Sequence, residues 1–151
     1  MEATAQNKLL VERMHADLLQ ERDPGVVERY FAPDFVSHNL PPGFPSGSEG
    51  VRRFFATFAE AMGDVSVTID AIVAEGDLVA VRTTTQGTHT GALFGIPASG
   101  RQLAIDGTDI VRVENDRIVE HWGLTNTVGA LQQVSALARL RWLARMVLGR
   151  R

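Results

Sequence analysis

Near Gly63 the hydrophobic period of this chain changes from that of a helix to that of a strand. Upstream, Leu10, Met14 and Leu18 recur every fourth position, and Val51, Phe54, Phe55, Phe58 and Met62 form a second helical stripe. Downstream, Val65, Val67 and Ile69 alternate with polar residues, and Val79, Val81, Thr83 and Thr85 share one face of a further strand. Helices followed by a run of antiparallel strands predict an α+β domain.

Local signals place the boundaries. Asp23-Pro24 supplies an N-cap and a first-turn proline for a helix holding Val27, Tyr30 and Phe31. Ser46 to Glu49 fits a capping box ahead of the phenylalanine helix, and Gly63 stands where a C-cap glycine belongs. Gly76-Asp77 breaks the first pair of strands, and a Gly/Pro-rich connection from Gly87 to Gly100 precedes a strand from Gln102 to Val113. After the tight turn Asn115-Asp116, the last strand runs from Arg117 to about Thr125. No repeat or low-complexity tract is visible.

Of the 15 basic residues, Arg139, Arg141, Arg145, Arg150 and Arg151 fall in the tail, which leaves 10 basic against 18 acidic residues in 1–136. A body that acidic is a poor nucleic-acid binder, because phosphate contacts need clustered cations. From Val134 to Arg151 the spacing predicts an extra helix, with Leu137, Leu140, Leu143, Ala144, Val147 and Leu148 on one side and the arginines and Trp142 towards the other. The expected division is a domain over 1–134 and a basic amphipathic extension over 135–151. Packing of that helix on its own acidic body or on a second subunit is favoured over membrane contact. The absence of cysteine excludes disulfides, thiolate chemistry and zinc–sulfur sites. No run approaches ~18 apolar residues, and the opening residues lack a signal-peptide pattern, so a cytoplasmic location is expected.

Chemistry concentrates between Gly107 and Asn126, where Asp109, Arg112, Glu120, His121 and Trp122 interrupt two strands. A buried charge needs a partner or a shifted pKa. A regular two-residue hairpin pairs Glu114 with Arg117, Val113 with Ile118, Val111 with Glu120 and Asp109 with Trp122. Asp109, Val111, Glu120, Trp122 and Asn126 then share one face, and Ile110, Arg112, Val119 and His121 the other. Both faces mix apolar and ionisable groups, so which one looks inward stays open, and a one-residue slip swaps them.

His121 is the candidate base, since an imidazole titrates closest to neutrality, against an exposed or structural histidine at even weight. Asp109 is the candidate acid, with a salt bridge to Arg112 as the alternative of equal weight. His38, at the lip of the Pro41-Pro42-Gly43 turn, and His89, in a glycine-flanked loop, are weaker candidates, and His15 on the first helix receives no chemistry. The histidines have no metal-ligand spacing, so no metal is expected. No phosphate-binding glycine loop or nucleophile elbow is present.

Five stretches in order carry a resemblance: Tyr30 to His38, Gly50-Val51 opening the phenylalanine helix, Gly87 to Gly91 with Gly95-Ile96-Pro97, Asp109 to Arg112, and Glu120-His121-Trp122. With Leu131-Gln132-Gln133 behind them, the chain resembles the SnoaL-like polyketide cyclases and predicted ester cyclases of the nuclear transport factor 2-like superfamily. The resemblance implies a curved antiparallel sheet wrapped around three N-terminal helices, a cone with a deep apolar pocket approached by the hairpin's charged residues and His38. It also implies cofactor-free ring closure by intramolecular aldol condensation, and a homodimer. Family members often carry aspartates where this chain has Gly123 and Asn126. An amide binds an oxyanion or carbonyl but shuttles no proton.

The expected function is therefore a cofactor-independent cyclase or related isomerase or lyase acting on a small apolar, aromatic or polyketide-like molecule. In it His121 is the base, Asp109 the acid or orienting partner, His38 an auxiliary relay, and Trp122 and Asn126 the substrate-holding groups. Alternatives are a non-catalytic ligand-binding or dimerisation domain, and water addition to an epoxide by Asp109 with Glu120.

Overall fold

The computed structural model describes residues 2–20, 25–134 and 136–148. Its elements are α1 (Glu2–Gln20), α2 (Val26–Tyr30), β1 (Phe31–Ser37), α3 (Ser48–Ala61), β2 (Met62–Glu75), β3 (Leu78–His89), β4 (Gln102–Glu114), β5 (Arg117–Thr125), α4 (Thr127–Gln133) and α5 (Ala136–Leu148). The strands form one curved open sheet in the order β1-β5-β4-β3-β2. The expected α+β class stands, and α1 and α3 pack on the sheet as their apolar stripes require. No helix among the described residues is long and apolar enough to cross a membrane.

The strand stage follows the alternating pattern closely. Val79, Val81 and Thr83 of β3 are buried, as are Val111 and Val113 of β4. Asn115 and Asp116 close the β4–β5 hairpin with φ of 49° and 57°, the doubly left-handed turn whose twist suits a two-residue connection. Gly76 does the same service between β2 and β3 at φ +59°.

The helical part needs three corrections. The helix holding Val27 and Tyr30 stops there, and Phe31 opens β1, an edge strand running parallel to β5. Pro33 explains this: its ring drives the preceding residue out of the helical region, and an edge strand tolerates its missing N–H. The proposed cap at Asp23-Pro24 lies outside the described residues. Ser46 does not cap α3, whose N-cap is Gly47 without a side-chain bond; the Ser46 carbonyl instead accepts from the Ser37 N–H at 2.6 Å. Gly63 is no C-cap, because Met62 is already extended and α3 runs directly into β2.

On α1 the buried stripe is Val11, Met14, His15, Leu18 and Leu19, with Leu10 at its margin. Two apolar clusters result. One joins α1, α2, β1 and the β3–β5 strands, and the other joins α3, the loop around Leu93 and Ile96, and α4. Helix α5 forms as expected, but Leu137, Leu140, Leu143, Val147 and Leu148 are exposed, while Trp142 packs against the second cluster.

Candidate active site

Between the two clusters lies a cavity of about 380 Å³, within the size range of small-molecule sites. Its apolar wall comes from Met14 and Leu19 of α1, Phe54, Phe55 and Phe58 of α3, and Leu40 with Pro41 and Pro42 of the loop between β1 and α3. The sheet supplies the polar side, with Thr83 and Thr85 on β3, Asp106 and Asp109 on β4, and His121 and Thr125 on β5. His15 projects into the same space from α1. Among the described residues no lysine or arginine lines it.

The hairpin register decides who meets whom. Glu114 pairs with Arg117 and Val113 with Ile118, as expected, but the register then shifts and Arg112 pairs with Glu120. Val119 is the extra residue, a bulge that advances β5 by one position. Val111 therefore faces His121, Ile110 faces Trp122 and Asp109 faces Gly123. One inserted residue exchanges the two faces of β5. His121 turns inward beside Asp109, and Glu120 and Trp122 turn outward.

Asp109 is the centre of the inner group. Its Oδ1 accepts from His121 Nε2 at 2.9 Å, and its Oδ2 lies 3.7 Å from His15 Nε2. Burial opposes ionisation, but the hydrogen bond from His121 and the nearby charges of His121 and His15 outweigh it and hold the carboxyl at about 2. The remaining exposure of its side chain, 26 %, keeps the ionised group in reach of a molecule in the cavity.

His121 Nδ1 lies 2.8 Å from Ser37 Oγ. A hydroxyl donates to the neutral ring and accepts from the protonated one, so His121 keeps both bonds in either state. Gly123 completes the arrangement. A Cβ there would lie 2.5 Å from Asp109 Oδ1 and 2.6 Å from His121 Nε2, in the notch between the bonded atoms. The space a side chain needs is already filled by the pair.

Several sequence candidates fall elsewhere. His38 is not in the cavity, because Ser37 takes the inward position at the end of β1 and the next residue points out. There His38 Nε2 binds Glu120 Oε1 at 2.8 Å, and its ring stacks on Trp122 at 5.1 Å and 11°. Trp122 is thus part of an outer cluster and lines no part of the cavity. Arg112 pairs with Asp77 at 2.6 Å and Glu120 at 3.1 Å, so it is not the partner of Asp109. Hydrogen bonds from His38 and Arg112 hold the Glu120 carboxyl below its usual range. Glu120 and Asp109 lie on opposite faces, which removes the carboxylate pair that epoxide hydration needs.

Asn126 is the N-cap of α4, its Oδ1 accepting from the Gly129 N–H at 2.8 Å, and it is absent from the cavity wall. His89 is fully buried away from the cavity, with Nδ1 3.0 Å from Ser99 Oγ. Burial pushes its pKa down, against the opposing pull of the Ile96 and Gly91 backbone.

Two residues escaped the sequence reading, Ser37 and His15. Ser37 sent no signal, since its role depends on β1 meeting β5. His15 did: with Val11, Met14, Leu18 and Leu19 it completes the i, i+3, i+4, i+7, i+8 face of α1, so a titratable group sits on a buried stripe. Among the described residues no group of three or more His, Asp or Glu side chains is arranged to hold a metal ion.

A model of the SnoaL-like polyketide cyclase family matches residues 9–134. TsrD from Streptomyces laurentii is 31% identical with a TM-score of 0.78, over 87% of this chain and 96% of that one. IdmH from Streptomyces antibioticus, proposed to be a polyketide cyclase, is 30% identical with a TM-score of 0.73, over 85% and 97%. AclR from Streptomyces galilaeus, proposed to be a hydroxylase, is 26% identical with a TM-score of 0.74, over 85% and 84%. Among curated proteins, no sequence matches this chain.

Proposed function

Because the chain belongs to the SnoaL-like polyketide cyclase family, we propose that it closes a ring in a neutral polyketide-like or aromatic molecule by cofactor-free, aldol-type acid–base chemistry. The observation that carries this reading is the Asp109–His121 hydrogen bond in a cavity whose opposite wall is apolar and phenylalanine-rich. A carbon between two carbonyls is acidic enough for a positioned side chain to deprotonate. The phenylalanine wall folds the chain so that the resulting enolate reaches a second carbonyl.

Asp109 and Asp106, with no lysine or arginine among the described lining residues, disfavour an anionic substrate, which is why the proposal specifies a neutral one. His121 has both ring nitrogens engaged, so in this reading it orients Asp109 and keeps it ionised rather than taking the substrate's proton. The non-catalytic alternative shares the cavity and differs in outcome: it predicts a bound ligand that leaves unchanged.

The test is incubation with linear and partly cyclised poly-β-carbonyl esters, followed by chromatography and mass spectrometry. Ring closure appears as an isomer of unchanged mass, or one lighter by water, with a new chromophore. Asp109→Asn is expected to lower the rate by about 10²-fold or more. Binding without a new species in any member of the panel points to the ligand-binding alternative.

A further inference from the structure

Among the described residues, His15 is the one titratable side chain common to the inner cavity and to a second, more open cleft between α1 and β2, where Glu12 and Asp70 stand. Its orientation is set by the backbone. Nδ1 lies 2.9 Å from the Val11 carbonyl oxygen, which only accepts, so Nδ1 carries hydrogen and donates it. The neutral ring therefore presents the lone pair of Nε2, 3.7 Å from Asp109 Oδ2. That separation is longer than a hydrogen bond. A lone pair and a carboxylate facing each other repel, and a proton between them turns repulsion into an ion pair.

His121 stands differently, since Ser37 and Asp109 occupy both its nitrogens. A carboxyl held at about 2 is a weak proton acceptor near neutral pH, so Asp109 is better suited to pairing with a cation than to taking a proton from carbon. Among the described residues, these facts leave Nε2 of His15 as the open basic nitrogen of the cavity.

We propose that His15 is the residue through which protons enter and leave this cavity, with Nε2 accepting the proton of a bound carbon acid. The substrate C–H bond breaks, its electron pair moves into the adjacent carbonyl to form an enolate, and an Nε2–H bond forms. The imidazolium pairs with Asp109 Oδ2. Once the enolate has closed the ring, the proton returns to the new alkoxide, and exchange through the outer cleft keeps His15 in equilibrium with solvent. The inference rests on the acid–base reading of the cavity and adds to it the identity of the proton carrier.

The experiment needs no native substrate. A nitrobenzisoxazole is flat, neutral and aromatic; removal of its ring C–H breaks the N–O bond and gives a coloured cyanophenolate. The full-length protein is expected to accelerate this opening with an acid limb in its pH–rate profile. His15→Gln, with unchanged near-ultraviolet circular dichroism and Tm, is expected to lower the rate by about 10²-fold or more and to abolish the limb. Added imidazole is expected to restore part of the rate to His15→Ala. Rate loss with the acid limb intact marks a structural role and overturns the proposal. If His15→Gln keeps the wild-type rate and profile while Asp109→Asn loses them, His15 is not the carrier and the acid–base cavity stands. If the wild-type protein gives no acceleration over buffer, the proposal and the acid–base reading fall together.

Discussion

Replacing Gly123 by alanine adds one methyl group at the most crowded point of the site. The backbone does not demand glycine there, because the residue lies outside the left-handed region. Only space does. The new Cβ would lie 2.5 Å from Asp109 Oδ1 and 2.6 Å from His121 Nε2, where ordinary contacts begin near 3.4 Å. Relief requires a separation of roughly 0.9 Å beyond van der Waals crowding, and the two atoms to be moved are the two ends of a single 2.9 Å hydrogen bond.

Neither side chain yields freely, with His121 tied to Ser37 and Asp109 fixed in the centre of the sheet. Opening a charge-assisted hydrogen bond costs about 1.5–3 kcal/mol. Keeping it instead costs about 1–3 kcal/mol of overpacking. The lower backbone entropy of unfolded alanine returns at most about 1 kcal/mol. A net loss of about 0.5–2 kcal/mol is expected in urea unfolding at neutral pH, with the Asp109 carboxyl rising from about 2 as His121 withdraws.

Carbon-detected titration of Asp109 reads the second effect directly. Gly107→Ala is the comparison: its Cβ meets Thr83 Oγ1 at 3.0 Å and the Leu124 carbonyl at 4.0 Å, a milder crowding than at Gly123, so a smaller loss is expected. In a His121→Ala background the Gly123→Ala cost is expected to shrink, since half of the wedge is gone. A Gly123→Ala protein within about 0.5 kcal/mol of wild type, with Asp109 still titrating at its original position, shows that the notch is not the constraint described.

Acid stability follows from the same carboxyl. Its folded pKa, about 2, lies below the ordinary 3.8, so its stabilising contribution is full above about pH 4 and is lost as pH falls towards 2. That contribution is about 2 kcal/mol, and Asp109→Asn is expected to flatten the unfolding free energy in this window, as followed by fluorescence. Ser37→Ala removes the hydroxyl that satisfies His121 Nδ1 and is expected to destabilise by about 1 kcal/mol, measured by urea unfolding, together with a shift in the His121 ring resonances. Glu120→Gln and His38→Ala break a screened cluster on the outer face, so each is expected to leave the urea midpoint nearly unchanged and nitrobenzisoxazole turnover at the wild-type level. For the homodimer, sedimentation equilibrium is expected to give twice the chain mass of 16.5 kDa, and a single-chain mass removes that expectation.

Periodicity made most of the architecture legible. The switch near Gly63, the alternation of Val79, Val81 and Thr83, and the Asn115-Asp116 turn all report on neighbours a few residues away, where side-chain spacing and local sterics suffice. Asp109 and His121 were recognisable for a related reason: an ionisable group in an alternating strand is costly to bury without purpose. Phe31 to Ser37 read poorly because a short edge strand is defined by its distant partner β5.

Two parity decisions needed the tertiary structure. The bulge at Val119 sends His121 inward and Trp122 outward, and the end of β1 sends Ser37 inward and His38 outward. Strand side chains have period 2, so one inserted residue reverses every assignment beyond it, and no local preference marks where the sheet will accept that residue. Residue spacing along the chain was enough for the α+β class, the order of the strands and the two titratable hairpin residues Asp109 and His121. Tertiary structure alone decided their company, since His15, Ser37, Asp109 and His121 are separated along the chain and meet only when α1 and β1 close on the sheet.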